Sequence, residues 1–249
     1  MSPITAADHA AAAELATAAG ALLLDVRGEG LEGDALKQAG DGRSHDFLAA
    51  ELVRRFPDDG VLSEEGADDL RRLGHERVWI VDPLDGTREF SEPPRSDWAV
   101  HVALTVDGVA VVGAVALPGL DLTLSTGSPP AVPDVGTRAP RILVSRTRPT
   151  EHATLLAEHL DGELVPMGSA GAKAMAVVRG EADIYAHSGG QYEWDSAAPV
   201  AVAAAAGLHV SRLDGSPLTY NHENPWLPDL LICRPELAQP VLALRLEAV

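Results

Sequence analysis

The segment Val78–Phe90, VWIVDPLDGTREF, carries an apolar run directly into two aspartates, Asp82 and Asp85. The run predicts a short strand that ends at Asp82. Pro83 fixes its own φ and biases the preceding residue away from helix, so the chain is expected to leave the strand and turn there. Both carboxylates should then lie at the strand end, and the same turn can present the Leu84 carbonyl.

Hard oxygen ligands that converge on a small space suit Mg²⁺, which takes carboxylates, water and substrate phosphate as ligands. Two such cations can share one bridging carboxylate and clamp a phosphate between them. Gly86 and Thr87 can open a helix whose free N–H groups face the same point. A D-x-x-D spacing alone favours a simpler interpretation, in which Asp82 is a turn residue and Asp85 caps a helix.

Two further acidic segments bear on this choice. Glu64 follows another short predicted strand in LSEEG, and Asp195 stands at the start of a predicted helix in EWDSAAP. If both reach the turn at Asp82, carboxylates from three separate segments meet at the ends of neighbouring elements. Each also has a simpler interpretation, Glu64 as a solvated loop charge and Asp195 as an ordinary N-cap. Glu65 is expected either to contact the metal-binding residues without binding metal itself or to face solvent.

The composition is that of an ordinary soluble globular protein, with 249 residues, 46% of them hydrophobic and 22% charged. A net charge of -18 and 4% aromatic residues disfavour a nucleic-acid polymer as partner. No apolar run approaches the roughly 18 residues of a membrane span, and the N-terminus lacks a basic segment followed by a hydrophobic one. These features, with the single Cys233 in an apolar run, predict a cytoplasmic protein with no membrane association.

The apolar periodicity predicts a first half that begins with two helices. A long helix should run over Ile4–Gly28 with Thr5 and Asp8 as a capping box, and a second over Arg43–Phe56. Short strands follow, and the alternation on either side of Asp107-Gly108 predicts a hairpin.

The segment Gly127–Pro140, GSPPAVPDVGTRAP, is rich in Pro and Gly and predicts a linker. Beyond it strands and helices alternate, which indicates an α/β layer that ends in a helix from Pro235. The predicted domains are residues 1–133, an α+β half with the DPLDGT motif, and residues 134–249, an α/β half with the WDSAA motif.

Three segments together resemble the inositol monophosphatase superfamily of Mg²⁺-dependent, lithium-sensitive phosphomonoesterases, namely SEEG, WIVDPLDGT and EWDSAAPVAVAAAAG. The resemblance implies an α/β fold, a layered α-β-α-β-α sandwich of the inositol monophosphatase/fructose-1,6-bisphosphatase type. HSGGQYEWDSAAP and LDGSPLTYN resemble the CysQ branch of that superfamily, in particular its actinobacterial members. That branch implies removal of the 3'-phosphate from 3'-phosphoadenosine 5'-phosphate (pAp), a step that supports sulfate assimilation.

The resemblance also implies roles for the acidic residues and Thr87. One Mg²⁺ would be bound by Glu64, Asp82 and the Leu84 carbonyl, and a second by Asp82, Asp85 and Asp195. Glu64 and Thr87 would position the attacking water, with the Thr87 hydroxyl passing a hydrogen bond toward the carboxylate.

Asp41 corresponds by position to an aspartate of the same superfamily, and it is included among the candidate catalytic residues. Its context departs from the usual T-x-x-D, because this chain reads QAGD. Two interpretations therefore stay open: Asp41 supports a third metal site, or it merely starts the second helix.

Substrate contacts are implied both at the metal site and beyond it. At the metal site they would come from Leu84, Asp85, Gly86, Thr87 and Asp195. For the 5'-phosphate and ribose, GSAGAK places Ser169 and Lys173 in a loop before a helix, and VSRTRP places Ser145 and Arg146 at a strand end. The simpler interpretation is that such Lys and Arg side chains are merely solvated.

Three aromatic or imidazole side chains have less specific interpretations. Tyr192 either lines a nucleobase pocket or is a core or interface residue. His101 and His187 lie in apolar strand patterns and are interpreted as core or surface residues, not as metal ligands.

Other functions remain open alternatives. The same metal site would also serve inositol 1-phosphate or fructose 1,6-bisphosphate. GEGLEG, Gly28–Gly33, fits the G-x-G-x-x-G of NAD-binding oxidoreductases, although it follows a predicted helix instead of a strand. A non-catalytic cation-binding protein could keep the fold, and the oligomeric state is open, with a homodimer among the alternatives. The sequence thus predicts a Mg²⁺-dependent phosphatase that converts pAp to AMP and phosphate.

Overall fold

The computed structural model describes residues 4–244 and begins with a pair of long helices. The first, α1 (Ala6–Gly28), starts at the predicted capping box, in which Thr5 and Asp8 satisfy each other's backbone N–H groups. The second, α2 (Gly33–Arg55), starts well before the predicted Arg43. Its buried face steps through every fourth residue, namely Leu36, Gly40, Ser44, Leu48 and Leu52. Gly40 and Ser44 interrupt the apolar periodicity of that face, and the predicted start of the helix depended on this periodicity.

The first sheet has five strands in the order β1-β2-β3-β4-β5, all antiparallel except the β1–β2 pair. The strands are β1 (Gly60–Ser63), β2 (Arg77–Asp85), β3 (Ala99–Val106), β4 (Val109–Leu117) and β5 (Leu122–Ser125). The predicted hairpin at Asp107-Gly108 joins β3 to β4, and both turn residues have the positive φ that a tight hairpin requires. A short helix, α3 (Thr87–Phe90), follows β2.

The second sheet has five strands in the order β10-β12-β8-β6-β7, and β9 and β11 form a separate pair. The strands are β6 (Arg141–Ser145), β7 (Glu163–Met167), β8 (Ile184–His187), β9 (Gln191–Tyr192), β10 (His209–Ser211), β11 (Trp226–Leu227) and β12 (Leu230–Cys233). The helices are α4 (Glu151–Leu160), α5 (Ala170–Val178), α6 (Glu193–Ala205) and α7 (Pro235–Ala243). This is the alternation predicted for the second half.

The layers follow from the two faces of β2. Val78 and Ile80 lie in a core that also contains α5, α6 and strands of the second sheet. Trp79 and Val81 point the other way, into a core shared with α1 and α2. A third core lies between the second sheet and α4 with α7. Because successive strand residues face opposite sides, one apolar run serves two cores, and the predicted α-β-α-β-α sandwich is confirmed.

Helix α1 differs from one sequence expectation. Within the described residues, it is long and apolar enough to cross a membrane when length and composition alone are considered. Its face with Leu15, Ala16, Ala19 and Leu23 is fully buried in the core against the first sheet. That is the pattern of a core helix.

The segment predicted as a linker, Gly127–Pro140, contains no helix and no strand beyond an isolated bridge at Ser128. Helix α6, which follows it in the chain, packs against β3 and β4 of the first sheet. The two halves therefore share a core, and their division at residues 133 and 134 into two domains stays a prediction.

Candidate metal centre

Three of the predicted carboxylates meet at the end of β2. One oxygen each from Asp82, Asp85 and Asp195 lies within 4.8 Å of the others. Asp82 and Asp85 are buried, and Asp195 is half-buried. The arrangement joins the first sheet to helix α6, which enters from the second half of the chain.

The end of β2 is irregular, and this irregularity orients the two aspartates. Asp82 pairs with His101 and Asp85 with Ala99, with a register shift between the two pairs. Strand β2 thus extends to Asp85, and the prediction that it ends at Asp82 is wrong. Pro83 cannot donate a ladder hydrogen bond, which is why it is accommodated where the register shifts. Gly86 then takes a left-handed conformation with a φ of 86° and ends the strand.

Glu64 reaches the same edge because β1 runs parallel to β2. Ser63 pairs with Val81, so the next residue along each strand lies at the same end of the sheet. The Glu64 carboxyl shares a hydrogen bond with Asp82, although the residue as a whole is exposed. Burial of the carboxyl and the charge of Asp195 raise the pKa of Glu64 to about 7. The contact with Asp82 favours the site interpretation over a merely solvated loop charge, and the role of Glu64 stays a prediction.

Asp195 lies in the first turn of α6, as the sequence predicted. The helix starts at Glu193 with Tyr192 as its N-cap residue, so the alternative in which Asp195 is the N-cap is wrong. Its Oδ2 accepts a hydrogen bond from the Tyr192 N–H at 2.6 Å. Burial and the charge of Asp85 raise the pKa of Asp195 to about 6.

Asp85 differs from the other carboxylates because several groups donate hydrogen bonds to it. It accepts hydrogen bonds from Ser169 Oγ at 2.5 Å and from the Gly171 N–H at 2.6 Å, both at the start of α5. His101 Nε2 lies 3.2 Å from the same oxygen. Burial opposes the charge, but His101, then Ser169 and Gly171, outweigh it and lower the pKa of Asp85 to about 2. A Cβ at Gly171 would lie 2.0 Å from His101 Nε2, so only glycine permits this approach.

His101 was predicted to be a core or surface residue, and its contact with Asp85 was missed. It is fully buried, and its Nδ1 lies 2.9 Å from the Trp194 carbonyl oxygen. The available signal was the hairpin itself, because the β2–β3 register places His101 opposite Asp82. The sequence did not reveal that register in advance.

The electrostatics of the cluster fit a bound cation. Burial and the charge of Glu64 raise the pKa of Asp82 well above its usual range, and the pKa values of Glu64 and Asp195 are raised as well. At Asp195, burial and the charge of Asp85 outweigh the opposing charges of His101 and Lys173, so the cluster holds more negative charge than these side chains balance. A hard divalent cation would supply positive charge and would find a set of oxygen donors of the kind it prefers.

Thr87 and Asp41 form a second polar group next to the carboxylates. Thr87 Oγ1 lies 3.2 Å from Asp41 Oδ1 and 3.2 Å from the Leu84 carbonyl oxygen. Asp41 sits inside α2, so the interpretation that it starts the second helix is wrong. Burial and the charge of Glu65 raise the pKa of Asp41 to about 6. The acidic partner of Thr87 in the structure is therefore Asp41, and a role in a third metal site stays a prediction.

A cavity of about 490 Å³ opens beside the cluster. The predicted site residues that line it are Asp85, Gly86, Thr87, Ser145, Arg146, Ser169, Lys173 and Asp195. Asp41, Glu64, Asp82 and Leu84 do not line it. The cavity thus brings together the predicted substrate residues of both halves except Leu84.

Two of the cationic side chains predicted to contact the substrate already have partners within the protein. Arg146 Nη2 lies 2.7 Å from Glu89 and 3.0 Å from Glu92. Lys173 lies in α5 and not in the predicted loop, and it is buried, so the interpretation that it is merely solvated is wrong. Its Nζ donates to the Ser169 carbonyl at 2.6 Å.

The sequence analysis missed several other residues of the cavity. Arg88 and Arg148 line it and have no side-chain partner among residues 4–244. The exposed Trp226 lines it as well and pairs across β11 and β9 with Tyr192. Tyr192 was not missed, because the sequence analysis named a pocket as one of its alternatives, and it also lines the cavity. Tyr192 is 46% exposed and stacks on Trp194 with ring centroids 4.8 Å apart, so the interpretation of Tyr192 as a core residue is wrong.

The GEGLEG segment, Gly28–Gly33, connects α1 to α2. A dinucleotide fingerprint needs a strand before its glycines, so that the phosphates meet the following helix inside a βαβ unit. The NAD-binding alternative is therefore wrong.

Comparisons with known proteins agree with this geometry. Residues 32–246 match the inositol monophosphatase family. The chain is 52% identical over 238 residues to a 3'-phosphoadenosine 5'-phosphate phosphatase of Mycobacterium bovis, covering 90% of this chain and 87% of the relative. It is 32% identical to the 3'(2'),5'-bisphosphate nucleotidase CysQ of Escherichia coli, covering 76% and 81%. The crystal structure of CysQ from Bacteroides thetaiotaomicron superposes with a TM-score of 0.78 at 26% identity, covering 92% and 97%.

Proposed function

The chain belongs to the inositol monophosphatase family, and from this we propose that it hydrolyses pAp to AMP and phosphate with Mg²⁺ as cofactor. The observation that carries the proposal is the acidic cluster of Asp82, Asp85 and Asp195, two of which, Asp85 and Asp195, line a cavity that arginine and lysine side chains line as well. The similarity to the mycobacterial pAp phosphatase supports the choice of substrate. Inhibition by Li⁺, a cytoplasmic location and a role in sulfate assimilation belong to the same proposal.

The carboxylates would hold two cations. Glu64, Asp82 and the Leu84 carbonyl are proposed for one, and Asp82, Asp85 and Asp195 for the other. When bound, such cations lower the pKa of water toward about 7 and stabilise the charge on a transferring phosphoryl group. The protein contributes a buried set of hard donors whose positions are set by two strands and one helix.

Thr87 would orient the attacking water through Asp41. A hydroxyl has one proton, so Thr87 donates either to Asp41 or to the Leu84 carbonyl at a given moment. When it donates to Asp41, its oxygen keeps the capacity to accept a hydrogen bond from water. Glu64 is proposed to accept the proton of that water. In this arrangement Asp41 replaces Glu64 as the partner of the Thr87 hydroxyl.

The phosphoryl oxygens would be held by backbone N–H groups at Gly86 and Thr87, which line the cavity. Asp195 is proposed to hold the leaving oxygen or a water next to it. Neither step needs a covalent bond between the phosphoryl group and the protein.

The remainder of the substrate is proposed to occupy the rest of the cavity. Ser145, Arg146, Ser169 and Lys173 stay the predicted contacts for ribose and 5'-phosphate. Arg146 and Lys173 already have partners, whereas the guanidinium groups of Arg88 and Arg148 have none among residues 4–244. We therefore add these two arginines to the proposed 5'-phosphate contacts. Tyr192 and Trp226 offer faces on which a base can stack.

The test is a substrate panel. Phosphate release from pAp, inositol 1-phosphate and fructose 1,6-bisphosphate should be measured with Mg²⁺, with EDTA and with Mg²⁺ plus Li⁺. The proposal expects pAp to have the highest kcat/KM and EDTA to abolish turnover. A higher kcat/KM for either sugar phosphate would replace the substrate, and absence of phosphate release from all three would favour a non-catalytic cation-binding protein. Whether the protein works as a homodimer is tested by measuring its mass in solution.

A further inference from the structure

Arg72 is a buried arginine that lies outside the acidic cluster and touches both loops that lead to it. It belongs to a 3₁₀ turn, Leu70–Gly74, between β1 and β2, and its side chain is 1% exposed. Burial of a guanidinium is costly unless its donors are satisfied. Here three of its nitrogens make four hydrogen bonds.

Two of these bonds hold the loop that carries Glu64. Arg72 Nε and Nη2 donate to the two carboxylate oxygens of Asp68 at 2.7 and 2.8 Å. Asp68 follows Glu64 by four residues, in the segment between β1 and the 3₁₀ turn. A fork of two parallel bonds fixes the direction of the carboxylate as well as its distance.

The other two bonds reach a loop from the second half of the chain. Arg72 Nη1 donates to Asn221 Oδ1 at 2.7 Å, and Nη2 donates to the His222 carbonyl at 2.9 Å. Asn221 adopts a left-handed backbone conformation with a φ of 64°, and its side-chain amide donates back to the Arg72 carbonyl at 3.3 Å. The contact is therefore reciprocal.

The same loop holds the start of α6. The backbone N–H groups of Asn221 and His222 donate to the two oxygens of Glu193 at 2.7 and 2.8 Å, and His222 Nδ1 lies 2.7 Å from Glu193 Oε1. Glu193 is fully buried and is the first residue of α6, two residues before Asp195. A continuous set of hydrogen bonds thus runs from the Glu64 loop through Arg72 to the turn that carries Asp195.

We infer that Arg72 is a positioning residue for the metal centre, which sets the separation of Glu64 and Asp195. These two carboxylates come from opposite halves of the chain and repel each other when both are charged. A preformed site has to hold them close before the cation arrives, and the guanidinium does so by joining the two loops from which they extend. The inference rests on the proposed metal centre and adds a residue that contacts neither metal nor substrate.

The test compares Arg72→Gln with Arg77→Gln as a matched control. Arg77 is a half-buried arginine that also has two carboxylate partners, Asp8 and Asp59, and it lies at the opposite end of β2 from Asp82 and Asp85. Mn²⁺ binding should be measured by isothermal titration calorimetry without substrate, together with the melting temperature of each variant. We expect Arg72→Gln to raise the Kd for Mn²⁺ about tenfold, the lower end of the loss seen when outer partners of metal ligands are removed. Arg77→Gln should lower the melting temperature and leave that Kd unchanged.

Two further variants keep the test decisive if Arg72→Gln folds poorly. Asn221→Gly keeps the left-handed backbone and removes one acceptor, so a smaller rise in the Kd for Mn²⁺ is expected. Arg72→Lys can pair with Asp68 but cannot span both loops, so it should give an intermediate Kd. In steady-state assays, Arg72→Gln should raise the Mg²⁺ concentration for half-maximal rate while kcat at saturating Mg²⁺ stays within about twofold of the unaltered enzyme.

The outcomes separate this inference from the proposed function. If the unaltered protein binds no Mn²⁺, the proposed metal centre itself fails. If it binds Mn²⁺ and hydrolyses pAp, but Arg72→Gln and Asn221→Gly bind Mn²⁺ with the unaltered Kd, Arg72 is only structural and the inference is overturned. A lower kcat at saturating Mg²⁺ with an unchanged Kd would overturn it as well.

Discussion

The two ends of β2 carry buried charges under opposite conditions. At its start, Arg77 lies between Asp8 and Asp59, with nitrogen–oxygen distances of 2.6 and 2.9 Å. At its end, Asp82 meets other carboxylates instead of a guanidinium. One strand thus holds a balanced ion cluster and an unbalanced acidic cluster, less than ten residues apart.

The pKa shifts record this difference. Burial opposes the charge of Asp8, but hydrogen bonds from Arg77 and Thr5 outweigh it and lower the pKa. Burial and the charge of Glu64 raise the pKa of Asp82. The balanced end stabilises the fold by itself, whereas the acidic end stores repulsion that a cation can relieve. The contrast between Asp8 and Asp82 therefore depends on whether a buried carboxylate meets a guanidinium or another carboxylate.

The largest expected effect comes from neutralising the acidic end. Asp82→Asn should lower kcat/KM for pAp by about 10³-fold, comparable to the loss of a principal charge-stabilising group in other enzymes. The melting temperature in EDTA should rise, because a neutral amide removes repulsion and can still accept from the Leu84 N–H at 3.0 Å. Steady-state kinetics and thermal melts check the two effects. Asp8→Asn is the matched control, and it should lower the melting temperature without changing kcat/KM.

The second prediction concerns removal of the guanidinium from the balanced ion cluster at the start of β2. Arg77→Gln leaves the buried Asp8 and the half-buried Asp59 without their cation and should cost about 3 kcal/mol of unfolding free energy. Urea denaturation in the presence of Mg²⁺ measures this cost. Turnover of the folded fraction should equal that of the unaltered enzyme. A large drop in kcat would show that the two ends of β2 are coupled and would remove the contrast between them.

The third effect concerns the hydroxyl next to the acidic end. Thr87→Val keeps the shape and removes the group that bonds Asp41, so kcat should fall by about 10²-fold, as expected for a lost proton-handling or water-orienting group. Thr87→Ser keeps the hydroxyl and should retain most of the rate. Mn²⁺ binding should be unchanged in both variants. Equal rates for the valine and serine variants would refute the proposed orientation of water.

The fourth prediction concerns the arginine side chains of the cavity that have no partner, which are proposed to bind the 5'-phosphate. Arg148→Ala should raise KM for pAp about tenfold, the effect of losing one charged contact worth roughly 1.4 kcal/mol. KM for 3'-AMP, which lacks the 5'-phosphate, should not change. Comparing both substrates in the same preparation provides the control. Equal increases for the two substrates would place Arg148 outside the 5'-phosphate contacts.

The smallest effect is the dependence of stability on pH in EDTA. The folded pKa of Glu64, about 7, is above its ordinary 4.5, so the folded state binds protons more tightly and stability falls as pH rises from 4.5 toward 7. Asp8 has a lowered folded pKa, so its contribution is present above 3.8 and is lost as pH falls further. The melting temperature should therefore peak between these ranges. Saturating Mg²⁺ should flatten the decline above the peak, and an unchanged decline would contradict a cation at Glu64.

Much of the fold was predictable because neighbouring residues in the chain decide it. The apolar run of Val78 to Val81 indicated a buried strand, the Asp107-Gly108 turn indicated a hairpin, and the capping box at Thr5 marked the start of α1. The start of α2 was missed because Gly40 and Ser44 occupy its buried face without an apolar signal.

The candidate site was predictable only where a motif carried it. Glu64, Asp82, Asp85 and Asp195 were selected on the resemblance of their segments to a known family, and the structure brings them together. His101 stood in no recognised motif, and Arg148 lies in the VSRTRP segment but was not selected there. Lys173 was expected in a loop, whereas it lies buried in α5.

By itself, the sequence determined the kinds of element, their order and the supply of hard oxygen donors, because these depend on local patterning and on side-chain chemistry. Only the tertiary structure decided which charges would meet a partner. Asp8 finds Arg77 across 69 residues, Asp85 finds the start of α5 across 86, and Arg72 finds Asn221 across 149. Such pairings depend on how layers stack and how strands align, and nothing in the residues adjacent to either partner specifies them.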